Sequence, residues 1–271
     1  MNRWKSILLW LLAIVITLAI AVYQRMTGPT YPISGSIDVA DKMIEYELPR
    51  SHGGEGGQEV LIETQNNKIK GIIEYRRYKS HDEWTSEDMY YENGALTYVL
   101  PHQPPAGKVM YSITLIDDKG NNYELTDEPV IIRFKGHVPA YVLIPHIVII
   151  FLAMVFSART GLEAAFGGDN LYRDALWTVI LLLIGGLIFG PIIQKYAFDA
   201  YWTGWPFGND LTDNKTLVAF IVWIIALWKI RKNKNKRLWA IIGSVVLLIV
   251  FLIPHSVLGS ELDYTQQQIS E

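Results

Sequence analysis

The chain has 271 residues, of which 50 % are hydrophobic and 19 % charged, and its formal net charge is −3. So small a charge makes no case for a nucleic-acid partner. The absence of cysteine excludes disulfides, thiol catalysis, cysteine-ligated zinc, iron–sulfur clusters and covalent c-type haem attachment.

Apolar residues concentrate at the start and in the second half, with a polar stretch over 30–136 between them. A bilayer core about 30 Å thick needs roughly 20 apolar residues of helix. The first run near that length is 6–23. Arg3 and Lys5 precede it and Ala19-Ile20-Ala21 lies near its end. Residues 1–24 therefore fit a transmembrane anchor or a cleaved signal peptide. Both readings leave the chain that follows outside the cytoplasm.

Residues 30–136 read as an extracytoplasmic all-β domain. Val60-Leu61-Ile62-Glu63-Thr64 and Gly71-Ile72-Ile73-Glu74-Tyr75-Arg76 are β-branched or aromatic runs bounded by turn residues. Runs at 96–100, 109–116, 123–125 and 130–134 continue the pattern. Asp117-Asp118-Lys119-Gly120-Asn121-Asn122 is a turn expected to close a hairpin. Regular spacing without a helical period argues for a sandwich. His52-Gly53-Gly54-Glu55-Gly56-Gly57 lacks the Lys-Ser/Thr of a phosphate loop and reads as a mobile hairpin tip. The segment from Tyr75-Arg76-Arg77-Tyr78 to Trp84 mixes aromatic and charged residues, as binding surfaces and ordinary solvent faces both do.

Leu100-Pro101-His102-Gln103-Pro104-Pro105-Ala106-Gly107-Lys108-Val109-Met110-Tyr111-Ser112-Ile113 resembles the E–F corner of immunoglobulin-like and fibronectin type III domains. The resemblance implies that Tyr111 takes the place of the corner tyrosine, which bonds back to upstream backbone. The disulfide of antibody domains is missing, and no tryptophan clearly takes their strand-C position. A fold is implied, not an activity.

Residues 139–258 contain four further apolar runs, at about 140–157, 175–193, 216–230 and 238–258. None has Asp, Glu, Lys or Arg in its middle, and their continuous apolarity suits helices rather than alternating barrel strands. The expected fold class is a membrane protein: an N-terminal transmembrane helix, an all-β immunoglobulin-like sandwich, then a four-helix transmembrane bundle. With the N-terminus inside, the inner loops hold Arg3, Lys5, Arg159, Arg173 and the basic run 229–237, while the outer loop between the third and fourth helices holds only Lys195 and Lys215. This bias orients the chain in a cell membrane, a bacterial inner membrane being the expected one, with the β domain and C-terminus outside. Run 229–237 reads as a topology-setting hairpin, with RNA or anionic lipid as its other readings. Gly185, Gly186 and Gly190 give a small-residue face for close helix packing. The polar tail 259–271 is expected to be short and exposed on the outer side.

The polar candidates gather at the outer end. His137, His146 and His255 lie near the outer ends of their helices, the last two directly after prolines. Facing imidazoles of His146 and His255 would suit a b-type haem or a quinone; hydrogen bonds to neighbouring carbonyls are the other reading. In the loop before the apolar run 216–230, Tyr201, Trp202 and Trp205 suit an interfacial belt, and Asp213 suits a helix N-cap, with Thr212 as its competitor. Asp199 and Asp210 have no evident structural task, so Asp199, Trp202, Trp205 and Asp210 are pocket candidates. No catalytic set or metal spacing is present. The expected function is a non-enzymatic membrane protein whose sandwich binds or assembles a partner protein. The alternative is an electron-transfer subunit using His146 and His255. A small transporter is a third class, disfavoured by the uncharged helices and the lack of an inverted repeat.

Overall fold

The computed structural model describes residues 2–233, 235–254, 259 and 261–267. The chain divides into two compact units. One is helical and comprises 1–29, 138–196 and 200–259; the other is β-rich and comprises 30–137, 197–199 and 260–271.

The helices are α1 (Arg3–Thr27), α2 (Ala140–Ala165), α3 (Leu171–Leu182), α4 (Gly190–Phe198), α5 (Leu211–Lys232) and α6 (Arg237–Leu252), with a π-helical turn Leu183–Phe189 joining α3 to α4. Arg3–Thr27, Ala140–Ala165, Leu171–Phe198 and Leu211–Lys232 are long and apolar enough to cross a membrane. Their surface suits lipid, since Leu8, Val15, Val148 and Val218 are exposed, a pattern that soluble proteins avoid in large patches. The last apolar helix is shorter than its sequence suggests. α6 has 16 residues, roughly 24 Å, and stops at Leu252 just before Pro254; residues 255–258 lie outside the described residues.

α2, α3 and α5 each extend past one end of an apolar run, where polar residues find partners inside the unit. α2 runs on through Arg159 and Glu163, which pair with each other. α3 starts at Leu171 and takes in Arg173 and Asp174. α5 starts at Leu211 and takes in Asp213 and Lys215, whose Nζ donates to the Ile253 carbonyl at 2.6 Å. The glycine face packs within the chain. A Cβ on Gly185 would come 2.9 Å from Ile150, and one on Gly186 2.8 Å from Thr216. Gly243 lies as closely under the buried Trp223 ring, at 3.1 Å.

The β-rich unit contains β1 (Ile33–Val39), β2 (Lys42–Leu48), β3 (Ser51–Gly53), β4 (Gln58–Glu63), β5 (Lys70–Arg77), β6 (Thr85–Asp88), β7 (Tyr90–Glu92), β8 (Ala95–Leu100), β9 (Lys108–Ile116), β10 (Asn122–Glu124) and β11 (Val130–Lys135), then a short helix α7 (Tyr264–Gln267). β1 and β2 form a hairpin. One sheet has the order β3-β11-β9-β5-β6, with β10 also on β9, and another has β4-β8-β7. β3 runs parallel to β11; the other pairs are antiparallel. Alternation sends Val109, Tyr111, Ile113 and Leu115 of β9 inward. They join Ile44, Val60, Ile73, Leu96, Ile132 and Phe134 in one core shared by all three sheets.

The expected Asp117 turn closes the β9–β10 hairpin. Asp117 accepts from the Lys119 and Asn121 amides at 2.9 and 2.8 Å. The hydrogen bond from the Asn121 side chain leads the contacts that hold its carboxyl at about 2. The glycine-rich segment 52–57 is held at both of its ends. Its start is β3, His52 packs 5.2 Å from the Phe134 ring, and His102 Nδ1 bonds the Gly56 carbonyl at 2.8 Å. Tyr111 does bond back to upstream backbone, but its hydroxyl donates to Pro49 O at 2.9 Å, 62 residues away, so this is not the local corner bond that the resemblance implies. Burial raises the Tyr111 phenol above its ordinary pKa.

The described part of the tail, 261–267, is packed rather than exposed. Tyr264 is buried, donates its hydroxyl to Gln103 Oε1 at 2.8 Å, and lies under the Arg77 guanidinium. The Leu262 amide donates to Ala106 O, and Glu261 pairs with both Lys79 and Lys108. Burial pushes the Glu261 carboxyl up, but the bonds from Lys108 and Lys79 outweigh it and hold the group below its ordinary value. Residues 197–199 also complete this unit, through Gly136 N–H to Ala197 O at 3.0 Å and Arg133 beside the Phe198 ring.

Candidate functional site

Charge inside the helical unit is the feature its sequence conceals. Arg159 and Glu163 stand one helical turn apart, with side chains 1 % and 0 % exposed, and form an ion pair. Arg159 Nη2 also donates to Ser6 Oγ at 3.3 Å, and its guanidinium lies 5.4 Å from the Trp10 ring centre. Glu163 Oε1 accepts the Asn170 amide at 3.0 Å. The turn from α2 to α3 folds around this carboxylate. The Gly168 amide donates to Glu163 O at 2.9 Å, and Arg237 Nη1 donates to Gly168 O at 2.9 Å. A Cβ on Gly168 would sit 1.9 Å from Glu163 Oε1, so only glycine fits. Asp174 is also fully buried. Its Oδ1 accepts from Arg173 Nε at 3.0 Å, while its Oδ2 has no hydrogen-bond partner among the described residues. Ionisable groups inside apolar helices are functional candidates by default. These contacts make the Arg159–Glu163 pair a brace that links α1, α2 and the α2–α3 turn. The available signal was the i, i+4 spacing of Arg159 and Glu163.

The loop between α4 and α5 is tied down by its aspartates. Asp210, not Asp213, caps α5: its Oδ1 accepts the Thr212 amide at 2.8 Å. Asp213 instead accepts the Thr203 and Gly204 amides at 2.7 and 3.0 Å. Gln194 Nε2 donates to Thr203 Oγ1 at 2.6 Å, and the Trp205 amide donates to Asn214 Oδ1 at 2.6 Å. Asp210 thus has the structural task that its sequence context hid. Trp202 Nε1 donates to Trp205 O at 3.1 Å, and Trp205 and Phe207 are 70 % and 83 % exposed, as suits an interfacial belt. Asp199 belongs to the β-rich unit and has φ +61°.

Of the three histidines, His146 is half-buried and its Nδ1 bonds Gly185 O at 3.0 Å, inside the π-helical turn. Since a carbonyl only accepts, Nδ1 carries the proton. The Gly185 carbonyl also accepts the Gly190 amide, the i→i+5 bond of the π-helical turn, so His146 is its second donor. His137 is exposed and belongs to the β-rich unit. His255 lies outside the described residues, so no second imidazole meets His146 among those described. No group of three or more metal-ligating side chains is present among the described residues.

In the β-rich unit, the aromatic and basic segment at 75–84 is used internally. Arg77 makes a two-nitrogen bond to Asp82 at 2.6 and 2.8 Å, and Arg76 lies 4.9 Å from the Trp84 ring centre. A wide concavity lies elsewhere in this unit. A groove of about 1020 Å³ runs between the β1–β2 hairpin and β4, lined by Ser36, Met43, Glu45, Glu47, Glu59, Leu61 and Glu63 among others. β2 pairs only with β1 and β4 only with β8, so each strand has one unpaired edge. Lys42, the one basic residue of the lining, is engaged with Thr64 O at 2.8 Å.

No protein-family model matches this sequence, and no curated protein does.

Proposed function

We propose that this chain is a bilayer-spanning protein whose β-rich unit stands outside the cytoplasm as an immunoglobulin-like docking domain. Strand order supports the fold. β5, β9 and β11 take the C, F and G places with β6 beyond β5 as C′, and β4, β8 and β7 take B, E and D. The two sheets share a core, as sandwich sheets do.

Sidedness is supported by connectivity. The chain leaves the β-rich unit at 137, rejoins it at 197–199, and rejoins it again in the tail. Each return needs an even number of crossings, so α2 pairs with α3–α4, and α5 with α6. The 16-residue α6 then spans too, by local thinning of the bilayer. In this topology Arg159, Arg173 and the basic run 229–237 lie on the cytoplasmic side, which an excess of Lys and Arg marks. α1 remains as an anchor, since Arg159 and the Phe251 carbonyl bond its Ser6 and Gln24.

The groove beside β2 and β4 is the observation that carries the docking role. Two unpaired strand edges offer backbone hydrogen bonds to an extended segment. Glu45, Glu47, Glu59 and Glu63 select a segment bearing Lys or Arg. The partner is thus a protein with an exposed, extended, basic stretch.

A short peptide of alternating lysine and valine tests this on the full chain. Amides of β2 or β4 should gain protection from hydrogen exchange. Binding should weaken as ionic strength rises from about 0.1 to about 1 M and should be lost in Glu59→Lys/Glu63→Lys. Equal binding of a glutamate–valine peptide, or no added protection, would sink the docking role.

A further inference from the structure

Between the α2–α3 turn, the end of α5 and the start of α6 lies a cavity of about 560 Å³. Arg173, Arg231 and Arg237 line it, against a single carboxylate, Asp169. Its walls are held from behind by the buried brace. Glu163 fixes the amides of Asn170 and Gly168, and Arg237 is anchored through Nη1 on the Gly168 and Glu163 carbonyls. Carbonyl oxygens orient a guanidinium without neutralising it, so Arg237 keeps its charge at the wall. Arg231 has no ion pair among the described residues. Arg173 is balanced by Asp174 but keeps a half-exposed side chain.

We propose that this cavity binds a phosphate-bearing anion, whether an anionic lipid headgroup or free phosphate. The planar fork of arginine matches phosphate oxygens two at a time. The volume falls within the ordinary range of ligand sites. Basic pockets between membrane helices are where anionic headgroups bind, and Leu171, Tyr172 and Ile230 supply an apolar wall beside the arginines. The Asn170 side chain does not cap α3, so the first amides of that helix add to the positive field.

Thermal unfolding of the full chain in detergent tests the site without reference to membrane orientation. Inorganic phosphate, phosphatidylglycerol and phosphatidylcholine are the probes. Stabilisation should grow with phosphate or with phosphatidylglycerol but not with phosphatidylcholine. Arg231→Gln, at an exposed position, should bind about tenfold to hundredfold more weakly, as expected for one lost charge-assisted contact. Arg231→Lys, which keeps the charge and loses the fork, should fall between. A response to inorganic phosphate alone identifies a free anion; a response to phosphatidylglycerol without one to phosphate identifies a headgroup. An Arg231→Gln protein that responds like the unaltered one overturns the proposal. So does equal action of the two lipids with no response to phosphate.

Discussion

Glu163→Ala is expected to leave little folded protein in the membrane. The carboxylate is fully buried, faces Arg159 and accepts the Asn170 amide. Its removal strands a guanidinium inside the helical unit and releases the α2–α3 turn. Breaking one side of a buried pair costs about 3–5 kcal/mol, a large share of the roughly 5–15 kcal/mol that holds a typical protein folded. Arg159→Met should be similarly damaging, because it leaves the carboxylate unpaired. The double change Arg159→Met/Glu163→Leu should recover most of the loss, since apolar side chains of similar volume often replace a buried pair at little cost. Gel filtration and thermal unfolding of the four proteins read this directly. Single variants as stable as the original would mean that the pair is not interior.

In the β-rich unit, Tyr111→Ala should be the most damaging single change among its aromatic positions. Tyr111 is fully buried on β9, between Val109 and Ile113, and its hydroxyl reaches Pro49 O. Truncation removes a ring from the centre of the core and should cost about 3–5 kcal/mol. Tyr111→Phe keeps the ring and leaves the Pro49 carbonyl without its donor, which costs about 1–3 kcal/mol. Hydrogen exchange should show β9 and β11 opening more readily in that order, with the protection of α2 and α5 unchanged. Equal exchange in Tyr111→Phe and the original would mean that the Pro49 bond contributes nothing.

The apolar runs were legible because a bilayer demands length and continuous apolarity, and both are visible one residue at a time. The helix ends were not, because which polar residue gains a partner, near or far in sequence, is settled only by the fold. Glu163 meets Asn170, Lys215 meets Ile253, and Asp210 displaces Asp213 as the cap by reaching Thr212. Strands β4, β5, β8, β9 and β11 were legible from β-branched runs. β1 and β2 were hidden by their Ser, Gly, Asp and Glu content and by their turn. Ala40 and Asp41 both adopt positive φ, 53° and 60°, where a glycine-bearing pair is the usual signal. The tail misled for a similar reason. Its acidic and polar composition reads as exposed, yet Glu261 finds Lys79 and Lys108, and Tyr264 finds Gln103. Among the site candidates, Asp210 stood out because its sequence shows no structural task, and its partner is the backbone amide of Thr212 at the start of its own helix.

The absence of cysteine allows a direct test of the topology on which the proposed function depends. Single cysteines at the exposed positions Glu55, Asn209 and Asn235 can each be probed with a membrane-impermeant maleimide. In intact cells the proteins with cysteine at 55 and 209 should be labelled, and the protein with cysteine at 235 should react only after the membrane is opened. Labelling at 235 in intact cells, or protection at 55, would contradict a topology with residue 55 outside the cytoplasm and the basic hairpin inside.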